Sequence, residues 1–263
     1  MGLLNEESRD DLRPSCFALV VGNARSGTTI VGSIIDAHPQ MICANETEAS
    51  NRLWRDMSGH EIVAEIVDNS NRQYATGREA SGYNYKINTE PKAFKDIRVI
   101  ADKIWNPALL LLHGDHGLIK RLEESLGVPI SIVHCVRNPF NAIATMHKRS
   151  GASLHNRARW YFMHCEAAQA LIDRNDRRVL TVVHEDLLRH PNREIAALYG
   201  FFGLQTPLST TESIKSILFT EETQPYLSVQ WPKALLNQIR VYISRFSFLT
   251  RYILVPSDIP ICD

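Results

Sequence analysis

The chain has 263 residues, 44% of them hydrophobic, with 29 lysines and arginines balancing 29 aspartates and glutamates. That length and composition suit a single α/β domain spanning residues 1–263 with a substantial core. A formal net charge of zero removes any global electrostatic case for nucleic acid or an anionic membrane, so an anion site must be a local cluster. The five cysteines (Cys16, Cys43, Cys135, Cys165, Cys262) form no C-x-x-C pair and no Cys/His set at zinc spacing. They read as buried thiols in a reducing compartment, with no metal. The first fourteen residues lack a basic segment followed by an apolar core, and Arg9 stands where an acylation motif needs Ser or Thr. No apolar run approaches the ~18 residues of a membrane span. A cytoplasmic protein is expected.

The first element is a buried strand over Phe17 to Val21, followed by Gly22, a polar loop, Gly27, Thr28 and Thr29. Ile30, Val31, Ile34 and Ile35 then recur at helical spacing. Strand, glycine loop and helix form a cradle for a phosphate, because glycines admit the anion and the free N–H groups of the first helical turn point at it. Four residues separate Gly22 and Gly27, as in a nucleotide-triphosphate P-loop, but Thr28 stands where the phosphate-reaching lysine belongs. The strong cation is Arg25, inside the loop. A P-loop phosphotransferase or nucleotide-binding module is therefore the alternative reading, and a tight turn without ligand is the plainest one.

Pro39 ends the helix at His38. Met41 to Ala44 reads as a second strand, with Glu46 just beyond its end. Strand ends carry the chemistry in a parallel sheet, so Glu46 is placed to face the glycine loop; a solvated loop glutamate is the alternative. Residues 48–68 read as helix, on Leu53, Trp54, Met57, Ile62, Val63, Ile66 and Val67. Residues 69–96 read as irregular or short-stranded cover over the site. Arg72, Arg78, Lys86, Lys92 and Lys95 would form a basic trough there if they converged. A strand over 97–104 ends near Lys103. His113-Gly-Asp115-His116-Gly reads as a polar loop between helices rather than a metal site, with His113 and His116 held as alternative bases.

A helix over 119–126 is capped by Gly127, and Ile130 to Val136 is the next buried strand. Arg137 stands at its end and Pro139 starts a helix, a favoured first position. Leu154 to Ile172 reads as a long core helix, and Val179 to Val183 as another strand. His184-Glu185-Asp186-Leu187 and Phe201-Phe202-Gly203-Leu204 follow. The tail, 208–263, reads as a C-terminal helical segment. Its apolar stretch from Phe246 to Val255 packs on the domain or on another subunit, which leaves a homodimer open.

Taken in order, these motifs resemble the sulfotransferases that use 3′-phosphoadenosine 5′-phosphosulfate. Arg25-Ser26-Gly27-Thr28-Thr29 after a strand is similar to their 5′-phosphosulfate loop, and Ile34 to Thr47 resembles the tyrosylprotein and heparan-type enzymes. The resemblance implies a three-layer α/β fold of P-loop-NTPase type, with a central, mostly parallel sheet flanked by helices. It implies Glu46 as general base, and partial burial would raise its basicity. Arg25 and Lys103 would stabilise charge on the leaving phosphate, helped by the backbone N–H groups of Ser26 to Thr29. Arg137 would hold the 3′-phosphate with Thr145, which stands where the family uses Ser. Asn141 replaces a usual Asp, and His184 a usual Tyr. The segment with Trp231 resembles a loop that closes over the nucleotide, and Ser228, Gln230 and Lys233 would stand in for an absent Arg-Lys-Gly signature. The acceptor is expected to be a small metabolite or natural product, with a glycan or a peptide tyrosine as the alternative.

Overall fold

The computed structural model describes residues 12–47, 56–80, 82–89, 92–174, 178–218 and 223–262. Strand β1 (Cys16–Gly22) leads into helix α1 (Thr28–Ala37) and β2 (Met41–Asn45). Helix α2 (Gly59–Thr76), the hairpin β3 (Glu79–Ala80) and β4 (Tyr83–Asn84), and β5 (Val99–Lys103) follow. Helices α3 (Asn106–Gly114) and α4 (Leu118–Leu126) precede β6 (Ile130–Val136), α5 (Pro139–Ser150), α6 (Leu154–Asp173) and β7 (Val179–Val183). The remainder is α7 (His184–Arg189), α8 (Pro191–Phe201), α9 (Leu208–Lys215), β8 (Trp231–Pro232), α10 (Lys233–Ile243) and β9 (Ile261–Cys262).

The five main strands lie in the order β2-β5-β1-β6-β7, and every pairing is parallel. Successive side chains of a strand point to opposite faces, and here both faces are apolar. Phe17, Leu19, Val21, Ile42, Ile100 and Ile132 meet α2, α3, α4 and α6 on one side. Ala18, Val20, Cys43, Ala101 and Val133 meet α1 and α8 on the other. Strands buried on both faces read as unbroken hydrophobic runs, which is why the sheet was visible in the sequence. A further core joins α5, α6 and α10 around Trp231 and Phe140.

The expected helix over 48–68 is met in part by α2. Residues 48–55, with Leu53 and Trp54, lie outside the described residues, and α2 begins after Ser58. A reciprocal cap sets that start: Ser58 Oγ accepts the Glu61 N–H at 3.3 Å, and Glu61 Oε2 accepts the Ser58 N–H at 2.8 Å. The helix also runs on to Thr76, through residues expected to be irregular cover. Its last turns bury polar side chains: Asn69 Oδ1 accepts the Asn45 N–H, and Ser70 Oγ donates to Asp36, both at 2.8 Å. A hydrophobic periodicity does not register such positions. No helix among the described residues is long and apolar enough to cross a membrane.

Candidate active site

The loops after the five parallel strands leave one edge of the sheet. The chain passes from β1 outward to β2, then from β5 back across β1 to β6. The order therefore reverses between β5 and β1, where parallel sheets open a crevice. The glycine loop and Lys103 flank that crevice.

Two glycines shape the loop. A Cβ on Gly22 would lie 2.5 Å from the Cys135 carbonyl, so β1 turns away hard against β6. Gly27 has φ of 84° and is the N-cap of α1, where it offers no side-chain oxygen to the helix. The first-turn N–H groups of α1 stay available to a ligand. Ser26 Oγ is buried with no hydrogen-bond partner among the described residues. A glycine cradle, free helical N–H groups and an orphaned hydroxyl fit a phosphate or sulfate oxygen.

Arg25 also adopts a left-handed backbone, with φ of 71°. Burial lowers its pKa, and the charge of Arg149, in the last turn of α5, lowers it further; Glu46 and Tyr85 act the other way. An anion held between the two guanidinium groups would relieve that opposition. Arg149 was missed in the sequence. It stands four residues after Thr145 on one helix face, and that spacing was the available signal.

Register brings Glu46 and Lys103 together. Asn45 pairs with Lys103 across β2 and β5, and the Glu46 N–H donates to the Lys103 carbonyl at 2.8 Å. Lys103 Nζ forms an ion pair with Glu46 Oε1, the lysine side chain 7% exposed and the glutamate 39%. The Glu46 carboxylate is thus part-buried and held by the lysine. Glu46 has φ of 54°, a left-handed turn for a non-glycine residue. The next residue fastens that turn, since Thr47 Oγ1 donates to the buried Asp102 at 2.5 Å.

Arg137, 8% exposed at the end of β6, reaches across to the loop. Its Nη1 donates to the Arg25 carbonyl at 3.2 Å, and its Nη2 donates to Thr223, to the carbonyl at 3.2 Å and Oγ1 at 3.0 Å. Thr223 is a second residue the sequence reading missed. Thr145 instead donates its hydroxyl to the Asn141 carbonyl at 2.7 Å, a bond that a phosphate would have to displace. His184 packs on the loop, its Nδ1 2.6 Å from where a Gly27 Cβ would stand. Burial, then the charge of Arg137, push its pKa down to about 3, so the ring is neutral.

Trp231 does not cover this crevice. It is fully buried, its indole N–H donates to the Tyr226 carbonyl at 3.0 Å, and it packs edge-on against Phe140. Lys233 is exposed at the start of α10, and Ser228 accepts from Lys148 at 3.0 Å. His116 sits beside Arg174, in the turn between α3 and α4.

Among the described residues, two of the five cations expected of a basic trough do not face outward. Arg78 and Lys92 turn inward, 2% and 8% exposed, and bracket Asp36 at 3.2 and 3.4 Å. Arg78 also donates to the Cys43 carbonyl, and Lys92 to the Met41 carbonyl at 2.7 Å. Lys86 donates to the Ala75 carbonyl at 3.0 Å. Arg78 and Lys92 thus fasten the cover segment to α1 and β2, and Lys86 fastens it to α2.

Comparison with known proteins agrees with this geometry. The family signature described as "Sulfotransferase domain" matches residues 18–228. Protein-tyrosine sulfotransferase 1 of Danio rerio is 25% identical over 206 residues, covering 70% of this chain and 52% of that protein. Protein-tyrosine sulfotransferase 2 of Gallus gallus is 22% identical over 206 residues, covering 70% and 50%. The chain thus spans about half the length of the curated relatives it matches. Among solved structures, sulfotransferase STF1 from Mycobacterium tuberculosis aligns at a TM-score of 0.50, with 11% identity, covering 92% of this chain and 79% of that one. STF9 from Mycobacterium avium gives the same values, and these likenesses speak to the fold. With the signature spanning most of the sheet and every strand-end motif, the chain belongs to the sulfotransferase-domain family.

Proposed function

We propose that this protein transfers a sulfuryl group from 3′-phosphoadenosine 5′-phosphosulfate to a hydroxyl or nitrogen of a small acceptor. The observation that carries the reading is the bond from Arg137 to the Arg25 carbonyl. It ties a strand-end arginine to the glycine loop, so two anion sites share one crevice with the Lys103–Glu46 pair. Ser26, Gly27, Thr28 and Thr29 would hold the 5′-phosphosulfate, and Arg137 and Arg149 the 3′-phosphate, with Thr145 joining if its hydroxyl turns.

In the reaction, the acceptor atom attacks sulfur in line. The sulfur–oxygen bond to the 5′-phosphate breaks, its electron pair stays on the phosphate, and the acceptor proton passes to Glu46. The protein's work is to position the groups and stabilise charge. Arg25 and Lys103 face the oxygen on which charge grows. Lys103 begins in an ion pair with Glu46, so an arriving phosphosulfate offers the ammonium a second anion and releases the carboxylate to act as base. No metal is required by these roles.

Calorimetric titration with 3′-phosphoadenosine 5′-phosphate, beside ATP with Mg²⁺, tests the reading in wild type and Arg137→Ala. Metal-independent binding of the bisphosphate that collapses in the variant supports it. Preference for ATP with Mg²⁺ returns the loop to a phosphotransferase. For the acceptor, the inward turn of Arg78 and Lys92 favours a small molecule over an acidic chain. The names of the curated relatives favour a peptide tyrosine as the second reading. Sulfation of small phenols and alcohols compared with acidic tyrosine peptides, using labelled donor, decides between them.

A further inference from the structure

We infer that Glu185 is the positioning residue of Arg137. The inference rests on the donor reading above and adds to it a residue that need not touch the donor. Glu185 is 3% exposed, at the start of α7. Its Oε1 accepts the Asn138 N–H at 2.8 Å, and its Oε2 accepts the Tyr252 hydroxyl at 2.6 Å. On the same peptide unit, the Arg137 carbonyl accepts the Tyr161 hydroxyl at 3.3 Å. The Arg137–Asn138 peptide plane is therefore clamped at its C=O by one helix and at its N–H by another element.

This plane joins β6 to α5. If it rotates, the Arg137 side chain leaves the direction in which it meets the glycine loop. The Asn138 side chain is committed elsewhere, accepting the Phe140 N–H at 2.9 Å, so Glu185 supplies the restraint on the N–H. A buried backbone donor that loses its acceptor seeks another by moving. Glu185 is itself held in place. Its neighbour Asp186 takes Arg251 in a two-pronged contact at 2.6 and 2.9 Å, while Glu185 takes Tyr252. Two adjacent carboxylates thus grip two adjacent residues of the C-terminal segment, and that segment steadies the arginine at one remove.

The test compares affinities for 3′-phosphoadenosine 5′-phosphate and for adenosine 5′-monophosphate, by calorimetry on the full chain. Their ratio isolates the 3′-phosphate contact. Loss of a hydrogen bond to a charged group corresponds to about tenfold to hundredfold, and Glu185→Ala is expected to lower the ratio by that much. A merely structural role would weaken both ligands alike and leave the ratio where it was. Glu185→Gln, which keeps an oxygen for the Asn138 N–H, should restore most of it. In an Arg137→Ala background Glu185→Ala should cost nothing more. If Glu185→Ala does not fold, Tyr252→Phe replaces it, and a several-fold fall in the ratio is expected. An unchanged ratio in the variant used, alongside a collapse in Arg137→Ala, overturns the role of Glu185 alone. A wild-type protein that does not prefer the bisphosphate overturns the donor reading and this inference together.

Discussion

Asp36→Asn removes the anion from between two buried cations. Asp36, its side chain 13% exposed, accepts the Cys43 N–H and the Ser70 hydroxyl at 2.8 Å and pairs with Arg78 and Lys92 at 3.2 and 3.4 Å. The amide keeps Oδ1 for the two neutral hydrogen bonds, but it loses the charge and turns an NH2 donor toward Arg78 in place of Oδ2. Breaking a buried ion pair by removing one partner costs about 3–5 kcal/mol, and this variant strands two cations instead of one. Against a total stability of about 5–15 kcal/mol for a domain, the loss is readily measured by urea denaturation followed by circular dichroism. The midpoint should fall while the slope holds. The acid limb carries a second signature. Burial raises the Asp36 pKa, but Lys92, Arg78, the Cys43 amide and Ser70 together outweigh it and hold the folded value below the ordinary 3.8. The stability that Asp36 contributes is therefore complete above 3.8 and is lost as pH falls through the lower, folded value. The gap between wild type and variant should close in that window. Replacing all three charged residues by apolar ones should cost far less than the single change. A loss under about 1 kcal/mol for Asp36→Asn, at unchanged slope, would refute the argument that this cluster fastens the cover.

Removing one preorganised charge donor costs about 10²–10³ in rate, so Lys103→Ala should lower kcat by that factor with donor affinity less affected. Glu46→Gln should lower kcat as well, and activity within about tenfold of wild type would remove Glu46 as general base. Gly27→Ala adds about 1–2 kcal/mol of left-handed strain and forces a Cβ to 2.6 Å from His184 Nδ1; bisphosphate affinity should fall, and an unchanged affinity would contradict a closed loop. Trp231→Ala should cost about 3–5 kcal/mol of stability while the folded fraction keeps its bisphosphate affinity; a selective loss of affinity would restore the indole as a nucleotide cover.

Much of the fold was written locally. Strands buried on both faces leave unbroken apolar runs, so β1, β2 and β6 were legible nearly to the residue, and Gly27, Pro139 and Gly127 punctuated the helices between them. The glycine loop, Glu46 and Arg137 could be placed at strand ends because each follows a strand directly, and Lys103 because it ends one, while their expected roles came from the family resemblance. The start of α2 was also present in the sequence, as Ser58 and Glu61, but the hydrophobic pattern drew attention elsewhere. What the tertiary structure alone decided is where the charges go. Lys, Arg and Trp look alike in sequence whether they face a ligand or a neighbour, because their direction depends on partners far along the chain. Arg78 and Lys92 find Asp36 and turn inward, Trp231 finds Phe140, and Glu46 meets Lys103 through a register set between β2 and β5. Arg149, on the helix after β6, comes near enough to Arg25 to act on its charge because the sheet order brings β1 and β6 side by side.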